Sequence, residues 1–353
     1  MEPGFPSDKR TLSVLFNHAV AFVLYLGSAL IGYELVFEPS GVALIWPPAG
    51  VGIALVLMRG LSQLPVIFAG AVVVHLLGSG GFPGALLTAS GYTLAAALTA
   101  LILNRFMGFR VNLATLKDAW AFTIVAVVIF PLTSALAGAV THCCLESVRA
   151  EAFAILLGKH WIGDVVGILV FAPFLMLWSD ATGIPWRSRR TFEALAWLLV
   201  VLLLAVMVFR HWAPMETFRY PLELALFPAI VWGAIRFGEK GTAAGILIIS
   251  LIAIRELVVA SAAGTGSAIS QHPVFLWAFV GVLALTGLFL AAAWTELRAR
   301  EDALTINDER LRAFVHALPD LALVFQENGL CSEIFAPQKS PFRGQSHRLR
   351  GQQ

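Results

Sequence analysis

In a chain of 353 residues, 58% hydrophobic residues against 13% charged ones leave too little polar surface to enclose a water-soluble core, and the mean hydropathy is +0.81. The formal net charge is +2, with Lys and Arg scattered through short loops, which excludes the concentrated basic face that nucleic acid requires. Three Cys exclude a disulfide framework, and the adjacent Cys143 and Cys144 bridge only through a strained ring.

Residues 1–11 carry Lys9 and Arg10 ahead of an apolar stretch from Leu12 to Val36. That stretch is longer than a signal-peptide core and lacks a small-x-small cleavage pattern, so 1–11 reads as a cytoplasmic tail before an uncleaved first span. A membrane helix takes roughly 20 apolar residues, and runs of that size continue to Trp294. The expected spans are 12–35, 41–58, 64–78, 84–104, 118–141, 152–178, 192–209, 221–236, 241–261 and 273–294. The predicted fold over 12–294 is an all-α polytopic bundle of about ten helices, with eight as the lower bound.

Placing Lys9 and Arg10 in the cytoplasm also places Arg59, Arg105, Arg110, Lys117, the basic run 187–190, Arg236, Lys240, Arg298 and Arg300 there. The other side keeps Arg149, Lys159, Arg210, Arg219 and Arg255. Both termini are therefore expected in the cytoplasm. Trp120, Trp178, Trp186, Trp212 and Trp294 fall near helix ends, as headgroup-level anchors do. Beyond Trp294 the composition turns charged and loses Gly and Pro, with Leu297, Leu304 and Leu311 seven apart. Residues 295–316 read as a helical linker, either a homodimer seam or a solvated single helix.

The stretch from Gly41 through Trp46-Pro47-Pro48 to Arg59-Gly60 resembles the second span of the first class of bacterial membrane-associated sensor domains, the MASE group. Trp161, Gly163-Asp164, Gly167 and Pro173 resemble a later span of the same family. Residues 317–353 resemble the start of a PAS domain: a Pro319-Asp320 turn, an apolar strand to Phe325, an Asn328-Gly329 turn and a second strand over 332–337. The segment is too short for a whole PAS fold, so it is expected to be an incomplete α/β start, through truncation or a damaged reading frame. The resemblance implies a sensory input module in the inner membrane, feeding a PAS domain and then a two-component kinase or a cyclic-di-GMP enzyme outside this chain.

Ionisable groups at mid-membrane cost roughly 2.5 to 3.5 kcal/mol, so such residues face a cavity, a partner or the interface. His160, Asp164 and Gly167 are spaced four and three apart and share a helix face flanked by Trp161. This face can bind a cation, hold a polar ligand or titrate; alternatively Asp164 bonds backbone freed at Pro47-Pro48 or Pro173 and holds the bundle together. Pro47 and Pro48 are expected to break a helix within the membrane and so to border a site or mark a packing kink. Candidate ligand or signalling residues are thus Trp46, Pro47, Pro48, His160, Trp161, Asp164 and Gly167. His75, and His142 beside Cys143 and Cys144, are metal-capable, but neighbours on a helix point apart, so no metal site is expected. Arg255, Glu256 and Glu223 are expected to snorkel to the interface.

No phosphate loop, zinc spacing, nucleophile elbow or output-enzyme signature occurs, so neither catalysis nor a cofactor is expected in this chain. The expected function is sensory, for a small-molecule or membrane-borne cue. The alternatives are a secondary transporter, for which Phe227-Pro228 to Arg236-Phe237-Gly238 faintly echoes Pro47 to Gly60, or a structural anchor.

Overall fold

The computed structural model describes residues 8–37, 42–43, 45–78, 80–145, 149–179, 189–209, 223–262, 273–317, 322–325 and 331–335. Gly41, Trp186, Trp212, the 263–272 stretch and the Pro319-Asp320 and Asn328-Gly329 turns lie outside these residues. The chain divides into two units, Met1–Thr295 and Glu296–Gln353.

In the first unit α1 (Asp8–Glu34) leads through β1 (Val36–Phe37) and β2 (Val42–Ala43), an antiparallel pair, into α2 (Pro47–Arg59). Then come α3 (Leu64–Leu77), α4 (Phe82–Leu101), α5 (Leu116–Leu145), α6 (Phe153–Trp178), α7 (Arg189–Phe209), α8 (Leu226–Ala262) and α9 (Pro273–Ala317). The second unit contains the remainder of α9 and an antiparallel pair, β3 (Ala322–Phe325) with β4 (Cys331–Phe335).

The protein is an all-α polytopic membrane protein. Among the described residues seven helices are long and apolar enough to cross a bilayer, and Pro47–Arg59 and Leu61–Leu77 are shorter apolar helices. Outward faces are apolar as lipid demands: Trp120, Ile124, Val128, Leu132 and Leu136 form an exposed stripe on α5, four residues apart. In water such a stripe would be an aggregation site. The inner faces carry small residues instead, such as Ala85, Ala89, Ala95 and Ala96 on α4, which let helices approach closely.

The structure refines the expectation of about ten spans in two places. First, α2 has 13 residues and rises about 20 Å, short of a hydrocarbon core of about 30 Å. Its helix does not begin at 41 and is not broken at the prolines; it begins at Pro47. Second, the expected spans 221–236 and 241–261 are the two arms of α8, separated at Gly238 (φ 66°, ψ −156°), a conformation open to Gly alone. Trp197 of α7 lies against both Gly233 and Gly245. In a straight helix those residues would be about 18 Å apart, so the two arms of α8 fold back side by side on one indole. Tyr25 of α1 wedges Gly52 against Gly70 in the same way, around Gly60 (φ 85°). The echo between the two segments is thus an aromatic residue gripping a glycine-turned helix pair.

The central element is α6, the most buried of the seven long helices. It packs against α2 and α5 on one side and α8 on the other, so the two large apolar clusters meet along it. At its C-terminal end the Trp178 indole N–H donates to the Lys240 carbonyl (2.9 Å), just past the Gly238 break. A Cβ at Gly238 would in turn touch the Thr295 hydroxyl (3.8 Å). The end of α6, the turn of α8 and the last residue of the first unit are therefore neighbours.

Candidate functional site

The site begins at the seam between α2 and α6. A helix that starts inside a membrane must satisfy its first N–H groups without water. Pro47 and Pro48 occupy the first two positions of α2 and have no N–H, while the Ala49 N–H donates to the Trp46 carbonyl (3.1 Å). The Trp46 N–H donates to the Gly163 carbonyl (3.0 Å), tying the extended lead-in to α6. Glycines permit this approach. A Cβ at Gly167 would overlap the Trp46 carbonyl oxygen, and one at Gly50 would overlap the Gly167 carbonyl oxygen. The Trp46 ring meets Tyr33 edge to face, with centroids 5.7 Å apart, and covers Gly32 of α1.

Above this seam is a cavity of about 420 Å³ between α1 and α3–α6, opening toward the end of the bundle that carries β1 and β2. At its floor Asp164 is 1% exposed. The Tyr92 hydroxyl donates to Asp164 Oδ1 (3.1 Å) and the Ser134 hydroxyl to Oδ2 (2.5 Å). Asp164 is eleven residues into α6 and Tyr92 ten into α4, so the carboxylate sits about 15 Å below the open end, near mid-bilayer. Around it stand Tyr25, Tyr33, Tyr92 and Trp46; three of the chain's four tyrosines line this one cavity. The Tyr33 hydroxyl donates to the Val74 carbonyl (2.5 Å), which fixes the ring as a wall. Nearer the opening are Lys159, His75, His142 and His160, with the rings of His142 and His160 stacked at 5.2 Å.

The MASE1 family profile matches residues 17–298. The chain belongs to the MASE1 family. MASE1 domains are membrane sensory input domains of signalling proteins, and here Trp46-Pro47-Pro48 and Gly163-Asp164 meet along one seam at the floor of one cavity. No curated protein and no solved structure matches the chain.

Of the residues singled out in the MASE1 chain, Trp46, His160 and Asp164 line the cavity. Pro47, Pro48 and Gly167 are buried in the seam beneath it. Trp161 is not with them: one residue past His160 it is turned about 100° around α6 and is 38% exposed. Asp164 bonds hydroxyls rather than backbone freed at Pro47-Pro48 or Pro173. His142 separates from its neighbours, since it lines the cavity while Cys144 is exposed. No cluster of three metal-capable side chains occurs among the described residues. Glu223 is buried rather than snorkelling, whereas Arg255 is exposed and paired with Glu256 (2.7 Å). Tyr25, Tyr33, Tyr92, Thr88 and Ser134 were missed. Their signal was available: tyrosine is rare here, and a phenol in an apolar span needs a partner.

Proposed function

We propose that this MASE1 chain is the sensory input module of a bacterial signalling protein, and that its cue enters the Asp164 cavity from the periplasm. The observation that carries this is the cavity itself, in which Trp46, Gly163, Asp164 and Gly167 surround or underlie one polar chamber at mid-membrane. The alternation of basic loops orients the open end outward, with both termini cytoplasmic in the inner membrane. Reporter fusions after Arg190 and after Ser267 are expected to report opposite faces; the same face for both would overturn this helix count.

A cue shifts the bundle only by binding two states unequally. The path available for that shift is α6, whose upper half carries Asp164 and whose lower end holds Lys240 beside Gly238 and Thr295. From Thr295, α9 runs on to Ala317 and so toward a PAS-like segment and a downstream kinase or cyclic-di-GMP enzyme, acting as a homodimer through 295–316. The chain itself is not an enzyme and acts without metal or cofactor. The half-helix α2 also suits a secondary transporter, which uptake of cue into vesicles would reveal.

The test is a fusion of residues 1–317 to a reporter cyclase with Leu156→Trp. Leu156 lines the open end of the cavity in the first turn of α6. Response to cue is expected to fall at least about tenfold with unchanged membrane abundance. An undiminished response would refute the sensory cavity.

A further inference from the structure

The turn of α8 at Gly238 lies where α9 leaves the bundle, and it carries a carboxyl group that the sensory cavity does not use. We infer that Glu239 is a latch on α9: its carboxyl holds the Thr295 hydroxyl and fixes the register in which α9 leaves the bundle, and release of that hold is the change handed to 296–317. The inference rests on the sensory reading above and names the pair of residues through which it acts.

The turn is braced by helices other than α9. Gly238 (φ 66°) folds the two arms of α8 together, and the Thr242 hydroxyl donates to the Gly238 carbonyl (2.8 Å), closing the turn from within. Trp178 of α6 donates to the Lys240 carbonyl (2.9 Å), and Arg190 of α7 donates to the Arg236 carbonyl (3.3 Å). Glu193 of α7 also pairs with Arg236. The turn is therefore a fixed post.

The hold on α9 is of another kind. Along its last turns in the membrane Ala284, Leu288, Ala291 and Ala292 are buried, and apolar contacts of this sort let a helix slide or rotate by small steps. A hydrogen bond does not, because it weakens steeply with angle and distance. The Thr295 hydroxyl supplies one, donating to the Glu239 carboxyl at the last residue of the membrane unit. A smooth face thereby acquires one defined register. From Thr295 the helix continues unbroken to Ala317, so a step taken at 295 is delivered along 296–317.

Glu239 is also placed to let go. Its Oε1 is buried without a donor among the described residues, and the side chain borders a void of about 10 Å³ beside Pro173, Leu177, Leu288 and Ala291. A buried acceptor left unmet disfavours the arrangement that contains it, so a second arrangement in which Oε1 meets a donor lies close in free energy. As the first residue past the break, Glu239 also suits the N-terminus of the second arm of α8. That role needs no Thr295, and the two readings part on Thr295→Val.

The experiment makes two measurements on the same variants: amide hydrogen exchange of the full chain in lipid nanodiscs, and output of the reporter-cyclase fusion with no cue added. Thr295→Val keeps the shape and removes the donor, and Glu239→Leu removes the acceptor; Thr295→Ser and Glu239→Gln retain them. Exchange over 291–299 is expected to quicken at least about fivefold in Thr295→Val and in Glu239→Leu, with no further gain in the double variant, since both cut the same bond. Output is expected to shift at least about threefold in those variants, in one direction and at unchanged membrane abundance, and to stay at the parent level in Thr295→Ser and Glu239→Gln. Exchange indifferent to Thr295→Val, effects that add in the double variant, or quickened exchange with output at the parent level would overturn the inference. The sensory reading fails separately. If Leu156→Trp leaves cue response intact while Thr295→Val shifts output, the cavity falls and the latch stands; if Leu156→Trp abolishes response while Thr295→Val changes nothing, only the latch is wrong.

Discussion

Gly167→Leu is expected to abolish accumulation of folded protein in the membrane. A Cβ at this position already overlaps the Trp46 carbonyl oxygen and crowds its carbonyl carbon (2.8 Å), and both belong to backbone that cannot swing aside. Relief requires α2 to leave α6, which breaks the Trp46 N–H to Gly163 bond and exposes an irregular segment at a depth where water cannot compensate. Overpacking in cores costs about 1 to 3 kcal/mol, and here a backbone bond is lost as well, so about 3 kcal/mol or more is expected. Gly281→Ala and Gly158→Ala are the controls, since nothing lies within 4 Å of a Cβ at either place. They should change stability by no more than about 0.5 kcal/mol. Detergent-solubilised monodisperse protein, followed over a temperature ramp, measures all three.

The Asp164 substitutions separate folding from signalling. Asp164→Leu removes the acceptor of the buried Tyr92 hydroxyl, and an orphaned buried donor costs about 1 to 3 kcal/mol. Ser134 suffers less, because its hydroxyl also reaches the carbonyls of Phe130 (2.9 Å) and Pro131 (3.2 Å). Asp164→Asn keeps a carbonyl oxygen for Tyr92 and offers an amide N–H to the Ser134 oxygen, so the bundle should remain intact. What Asn cannot supply is an ionisable carboxyl group. Abundance is therefore expected to fall for Leu and to hold within about twofold for Asn, while response is lost in both.

The membrane character and the order of the spans were legible because apolar runs and basic loops are properties of consecutive residues. The His160–Asp164 face was legible for a similar reason, as a spacing of four settles who shares a side of a helix whatever surrounds it. Trp161 shows the limit of that argument: adjacency in sequence suggested it belonged, while the helical rotation carries it outward. The start of α2 was misplaced because an apolar run of 41–58 does not say where helix begins, and two adjacent prolines open a helix as readily as they break one. The two arms of α8 were legible as separate spans because Arg236, Glu239 and Lys240 interrupt the apolar run, while the φ of Gly238 that turns the chain there is not encoded in composition.

Most of the cavity was illegible for a different reason. Tyr25, Tyr92 and Ser134 come from α1, α4 and α5, and nothing in the sequence around any one of them points to the others. Only the meeting of those helices at α6 brings Tyr92 and Ser134 into hydrogen bonds with Asp164 and Tyr25 into the same cavity. Tyr33, likewise, gains meaning from Trp46 across the β1–β2 connection.

The most direct test of the sensory cavity is the ratio of output to membrane abundance for Asp164→Asn in the 1–317 cyclase fusion. The account predicts abundance near that of the parent protein and a response to cue reduced at least about tenfold. Output and abundance falling together, or a response left at the parent level, would contradict it.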